Sequence, residues 1–153
     1  MAIRSIVIYP DPRLEQISAE VSTITDEIHA IVADMVETLY ATEGVGLAAI
    51  QIGIPLRIFV IDPTFAGGTK LDPALVFINP VIESAEEPVR EEEGCLSLPG
   101  VFIPVERFNR TRIRAMSLNG TMFEMEGTGL LSRAFQHEID HLNGKLIIEK
   151  VGG

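Results

Sequence analysis

The 153-residue chain has one cysteine, three histidines, no tryptophan and only 12 basic side chains against 22 acidic ones. A single cysteine excludes an internal disulfide and favours a reducing compartment, so the cytoplasm is expected. A formal net charge of -10 excludes the basic patch that a nucleic-acid surface needs. No apolar run approaches the ~18 residues of a membrane span, so no membrane partner is expected. The opening Met1-Ala2-Ile3-Arg4 lacks the layout of a signal peptide. Repeats and low-complexity tracts are also missing. What remains is a chain with 46 % apolar residues, enough for one packed core and against intrinsic disorder. One domain spanning residues 1–153, monomeric or weakly associating, is the expectation.

Hydrophobic spacing organises that domain. Ile28, Ile31, Val32, Met35 and Leu39 recur at helical intervals, which predicts a helix over residues 26–40. Thr25 or Asp26 can cap it, and Gly44 can end it in a left-handed conformation. Residues 56–61 and 75–82 read as strands, with Pro80 marking an edge or a bulge. The glutamate-rich residues 83–93 read as a solvated hairpin. Residues 101–105 and 111–118 read as further strands, the second alternating outward Arg112 and Arg114 with inward Ile113 and Ala115. Asn119-Gly120 predicts a two-residue hairpin turn into a return strand over 122–125. A second helix is predicted over 129–142, closed by Gly144, with a last short strand over 146–149. Two helices among many short strands, without regular β-α-β alternation, give an α+β class.

The second helix contains His137-Glu138-Ile139-Asp140-His141. Imidazoles four apart stand about 40° apart around a helix, one turn above the other, so both can reach one divalent metal. Glu138 points about 100° away from His137 and can act as a base rather than a ligand. The same residues also read as two solvent-facing histidines and a glutamate. Two of the chain's three histidines fall here, however, in an otherwise apolar helix, where buried imidazoles would each need a partner. A catalytic site needs three protein ligands and an open position. After His141 the only acidic residue is Glu149, so the third ligand must lie upstream. Cys95, in Glu93-Gly94-Cys95-Leu96-Ser97, offers a soft thiolate; its plain alternative is a small buried hydrophobe. In Gly44-Val45-Gly46-Leu47-Ala48-Ala49-Ile50-Gln51, the two glycines permit unusual dihedrals and close approach of a substrate. Gln51 reads first as an amide bridging two strands and second as a donor to a developing oxyanion.

Taken together, GxGxAAxQ at 44–51, EGCLS at 93–97 and QHExDH at 136–141, in that order, resemble the peptide deformylase family. The likeness extends to Tyr9-Pro10-Asp11-Pro12-Arg13-Leu14 and to His141-Leu142-Asn143-Gly144. It implies short, mostly antiparallel sheets packed around a central helix that bears HExxH, with a second, N-terminal helix. It further implies that Cys95, His137 and His141 hold one divalent metal, Fe(II) foremost, with Zn(II), Ni(II) or Co(II) as substitutes. By the same resemblance, Glu138 moves the proton, Gln51 and the Leu96 N–H bind the oxyanion, and Gly46 touches the formyl group or the substrate backbone. The implied reaction removes the N-formyl group from the initiator methionine of nascent polypeptides and releases formate, with transient ribosome contact. Arg107 is the implied partner of Asp140.

A methionine side chain needs an apolar pocket. Val45, Leu130 and Ala134 are candidates to line it, with ordinary core as the alternative; Gly44 is expected with Gly46 among the substrate-binding residues. The chain departs from some members at Arg133, at the pocket rim where they carry an apolar residue, and at Phe102, where they carry Arg, and it differs in the length of the loop around Gly67, Gly68 and Lys70. Its ending at Gly153 resembles that of the shorter members. Rival readings are an amidase for other N-acyl groups, a structural metal module recruiting His29, and a silent relative that only binds peptide or ribosome.

Overall fold

The computed structural model describes residues 2–150, so the ends of the expected 1–153 domain lie outside the described residues. In chain order it contains α1 (Asp26–Tyr40), β1 (Gly46–Ala48), β2 (Ile58–Ile61), β3 (Leu75–Cys95), β4 (Leu98–Met116), β5 (Met122–Thr128) and α2 (Gly129–Leu142), with short 3-10 turns between them. The five strands form one sheet in the order β1-β2-β3-β4-β5, antiparallel throughout. The α+β class therefore holds. The expectation of short sheets does not: β3 has 21 residues and β4 has 19.

Both helices have the predicted bounds. Thr25 Oγ1 accepts the Ile28 N–H at 3.3 Å and caps α1. The end of α1 differs from expectation, because the helix closes on Ala41 in a right-handed conformation and Gly44 has no positive φ. Gly144 does turn left-handed after α2, at φ 73°. Residues 83–93 are not a hairpin of their own. They continue β3 and pair with β4 from Ser84↔Arg112 to Glu93↔Ile103. The physical reason is that β4 supplies partners along the whole run, so its solvated glutamates sit on one exposed ribbon. The register shifts between Ile78 and Val81, the irregularity that Pro80 signals.

The turn after β4 is one residue longer than a two-residue hairpin. Ser117 N–H donates to Thr121 O at 2.8 Å and Gly120 N–H to Ser117 O at 2.9 Å, with φ 87° at Gly120. This is the three-residue loop whose glycine takes the left-handed position. The expected last strand is instead a 3-10 turn over Ile147–Lys150. Ile147 is buried beside Leu98 and Val105, so that segment packs on β4 rather than pairing with it.

The sheet has a core on each side. One cluster joins α1 to β1 and β2 through Met35, Leu39, Leu47, Ile58 and Val60. The other seats α2 on the sheet through Phe59, Phe77, Ile113 and Phe135. Phe59 and Phe77 stack with centroids 4.6 Å apart, and Phe135 meets Phe77 edge-on at 5.3 Å. Gly127 makes room for this packing, since a Cβ there would come within 2.7 Å of the Phe135 ring. Gln136 fixes the height of α2 by bonding β4 like a strand: its Oε1 accepts Phe108 N–H at 3.0 Å and its Nε2 donates to Phe108 O at 2.7 Å. Among the described residues no helix is long and apolar enough to cross a membrane.

Phe135 is fully buried and carries the α2 side of the core. Phe135→Ala is expected to lower unfolding free energy by about 3–5 kcal/mol in denaturant titration. A loss below about 1 kcal/mol would contradict this packing.

Candidate active site

The end of β3, the turn after it, the segment 44–51 and the middle of α2 meet at one place. Strand alternation puts Glu93 and Cys95 on the same face of β3, and helical spacing puts His137 and His141 on the same face of α2. Cys95 Sγ lies 3.3 Å from His141 Nε2, which lies 3.2 Å from His137 Nε2. The three ligand atoms fall within 4.8 Å of one another. One thiolate and two imidazoles form a donor set that suits Fe(II) or Zn(II). The buried Nδ1 of His141 has no hydrogen-bond partner among the described residues, and the ring's Nε2 faces only the two other donors, Cys95 and His137. These residues fit a metal ion.

A second layer fixes the first. Glu93 Oε1 lies 2.9 Å from His137 Nδ1. Arg107 donates to both Glu93 oxygens, at 2.8 and 3.0 Å, and to Asp140 Oδ2 at 2.6 Å. The Arg107 side chain is 4 % exposed. Burial alone would raise the Glu93 carboxyl, but the hydrogen bonds from His137 and Arg107 overcome it and hold the group at about 2. Glu93 is therefore an acceptor only, and His137 Nδ1 must be the donor. In the neutral ring, the form that can bind a cation, that leaves the His137 Nε2 lone pair facing Cys95 and His141.

The two imidazoles separate in character. Burial opposes charge on His137, yet the contacts with Cys95 and Glu93 push it well above the ordinary histidine value. Burial and the neighbouring His137 charge push His141 well below it. Glu138 is buried, and one of its oxygens has no partner. Burial pushes its carboxyl up to about 7, against the pull of His137. A carboxyl held near neutrality is suited to take and return a proton.

Gly44 and Gly46 serve space rather than dihedral freedom, which corrects the sequence expectation. Neither has a positive φ. A Cβ on Gly44 would come within 2.8 Å of Leu96, and one on Gly46 within 2.7 Å of Ile61 and 3.2 Å of Glu138 Oε2. Gly46 belongs to β1, a strand the periodicity did not disclose. Gln51 does bridge: its Oε1 accepts Ala48 N–H at 3.0 Å, and its Nε2 donates to Ser97 Oγ at 3.2 Å and faces Cys95 Sγ at 3.7 Å. Leu96 follows in the turn between β3 and β4.

These groups open into a cavity of about 520 Å³ whose walls include Val45, Leu130, Ala134, Phe102 and Arg133. Val45 and Ala134 also touch the core, so their two readings coexist. His29 lies exposed on α1 and is not among the residues that cluster. Sequence reasoning missed Glu93 and Ser97 as functional neighbours. Ser97 is fully buried, holds Gln51, and accepts Tyr9 N–H at its carbonyl. The signal for Glu93 was its position two before Cys95.

Comparison with known proteins decides the family. The family model for polypeptide deformylase matches residues 3–153. This chain belongs to the polypeptide deformylase family. A peptide deformylase of Acidobacterium capsulatum is 50 % identical over 151 residues, covering 99 % of this chain and 88 % of the relative. The crystal structure of a Legionella pneumophila peptide deformylase superposes with a TM-score of 0.92 at 42 % identity, over 99 % of this chain and 87 % of that one. A peptide deformylase of Ehrlichia chaffeensis in complex with actinonin gives a TM-score of 0.91 at 38 % identity, over 99 % of this chain and 90 % of that one. As a deformylase-family member the chain is a hydrolase, in a metal-dependent family.

Removing the central cation of the Glu93–Arg107–Asp140 triad would strand two carboxylates. Arg107→Met is expected to cost the protein about 3–5 kcal/mol of unfolding free energy, measured by chemical denaturation at neutral pH. Unchanged stability would show that the triad is not what ties β4 to α2.

Proposed function

We propose that the chain is a single catalytic domain that removes the N-formyl group from the initiator methionine of nascent polypeptides and releases formate. The observation that carries this reading is the convergence of Cys95, His137 and His141 beside Glu138, one oxygen of which has no partner, in one cavity with Val45, Leu130 and Ala134 on its wall. Cys95, His137 and His141 would hold one divalent cation, Fe(II) foremost, with Zn(II), Ni(II) or Co(II) able to replace it. When bound, it supplies Lewis acidity that polarises the formyl carbonyl and acidifies water.

The chain's own residues do the rest. Glu138 accepts the proton of the attacking water while the hydroxyl adds to the formyl carbon. It then returns that proton to the methionine nitrogen as the C–N bond breaks, leaving formate and a free amine. Gln51 Nε2 and the Leu96 N–H donate to the oxygen that gains charge, and the Gln51 amide is already oriented by Ala48 and Ser97. The main chain at Gly44 and Gly46 lies along the substrate backbone, where a side chain would already clash with Leu96 or Ile61. Val45, Leu130 and Ala134 receive the methionine side chain. Arg107 and Asp140 hold the helix that carries both histidines. The substrate is a neutral amide, so an acidic protein acting in the cytoplasm, with transient ribosome contact, is compatible with it.

Glu138→Ala is expected to keep its metal, measured by elemental analysis, while formate release falls about 10²–10⁴-fold. Near-full turnover in that variant would overturn the proton route. Cys95→Ser is expected to lose metal on dialysis against a chelator faster than the parent, because a neutral hydroxyl replaces a thiolate. The reading as a whole is tested by formate release from formyl-Met-Ala-Ser by anaerobically purified protein loaded with Fe(II) or Ni(II). A metal-loaded protein that acts on other N-acyl amides but not on this peptide would favour the amidase instead.

A further inference from the structure

Arg133 stands one turn before His137 on α2 and lines the same cavity. Among the described residues it is the only Lys or Arg on the cavity wall, where Glu43, Glu92, Glu93 and Glu138 supply the carboxylates. The contrast with Arg107 is sharp, since three guanidinium nitrogens of Arg107 are spent on Glu93 and Asp140. The Nε of Arg133 is shut off from water and has no hydrogen-bond partner among the described residues. A donor stripped of water and left unpaired costs stability, so the cavity wall carries a guanidinium that the folded chain does not use. Two apolar surfaces frame it. Leu130 is 44 % exposed and Phe102 is 68 % exposed. The Phe102 ring also lies so close over Gly94 that an added Cβ there would meet it at 2.7 Å.

Resting on the deformylase reading, we propose that Arg133 is a specificity-determining residue whose guanidinium takes the main-chain carbonyl of the residue after formylmethionine. Three arguments select that acceptor. Arginine only donates, so its partner must carry a lone pair. Apart from the candidate metal ligands, the other ionisable groups of the wall are the carboxyls of Glu43, Glu92, Glu93 and Glu138, which disfavour an anionic partner more than a neutral carbonyl. Distance also fits. At about 1.5 Å of rise per residue, Arg133 lies about 6 Å along the helix axis from His137. A peptide extended at about 3.3–3.6 Å per residue, with its formyl carbon at His137, brings the second residue's carbonyl to that height. The main chain is the one feature that all nascent substrates share, so this contact rewards peptide length without reading sequence.

The test compares two substrates on the metal-loaded enzyme, formyl-Met methylamide and formyl-Met-Ala methylamide. Only the second carries the carbonyl in question. Wild-type protein is expected to gain in kcat/KM on the longer peptide. R133M, which keeps an apolar stem, is expected to lose about tenfold of that gain, the scale of one hydrogen bond from a charged donor, mainly through KM. R133K is expected to retain part of it. An undiminished gain in R133M, or an equal loss on both peptides in R133M and R133K, overturns the proposal. Wild-type protein that releases formate from neither peptide overturns the deformylase reading and this inference with it.

Discussion

The ion triad of Glu93, Arg107 and Asp140 is the joint on which the site depends. It binds β3 to β4 and β4 to α2 through one buried guanidinium. Buried ion pairs repay their desolvation only when the geometry is complete and the remaining lone pairs are satisfied. Here one Glu93 oxygen also meets His137 Nδ1, so the triad spends its surplus acceptor on a candidate ligand. Breaking it would do more than loosen the helix. It would release the constraint that selects the His137 tautomer and aims Nε2 at Cys95 and His141.

Seen from that joint, the long β3–β4 ribbon has a purpose. A 21-residue strand paired with a 19-residue one carries Cys95 and Glu93 to the far end of the sheet, where α2 crosses. The pairing continues to Cys95↔Leu98, which rigidifies the turn that presents Leu96 and Ser97. Ser97 then holds the Gln51 amide from one side while Ala48 N–H holds it from the other. An amide donor oriented before substrate arrives loses no reorganisation energy during reaction. Gln136 and Ser132 perform the matching task on α2, bonding the Phe108 main chain so that the helix cannot slide along β4.

Sequence patterns disclosed some of this and hid the rest for physical reasons. Helical periodicity is strong in both helices, so their bounds were legible. The ligand cluster was legible because few donors exist in the chain and their order is distinctive. Glu93 was not, because it ends a run of glutamates that reads as solvated. Composition cannot separate one buried carboxylate from its exposed neighbours Glu91 and Glu92, though strand alternation pairs it with Cys95. β1 was hidden because Gly46–Ala48 is three residues long and buried, too short to show a period. The glycines of that segment signalled a close approach, but only packing shows that Leu96, Ile61 and Glu138 are what approach them. The turn at Asn119-Gly120 was placed correctly, yet its loop length depends on the register of Met116↔Met122, a long-range property.

The site's cost is visible in the same structure. Glu138 and His141 are buried with polar atoms left unpaired, an arrangement that disfavours the folded state by about 1–3 kcal/mol for each orphaned group. Such groups persist only where surrounding packing over-determines them. That packing is supplied by the Phe59, Phe77 and Phe135 cluster beneath α2, to which Ala134 is the cavity wall's buried contribution. Stability and chemistry are thus divided between two faces of one helix. The apolar face fixes where α2 lies, and the polar face can then hold a base near neutrality and two imidazoles of opposite tendency. Glu138 illustrates the division most directly: it can be buried against β1 only because residue 46 has no side chain, and burial is what raises its carboxyl to about 7. A methyl group at that strand position would press on Ile61, the Val60 carbonyl and Glu138 together, so packing and proton affinity are coupled there.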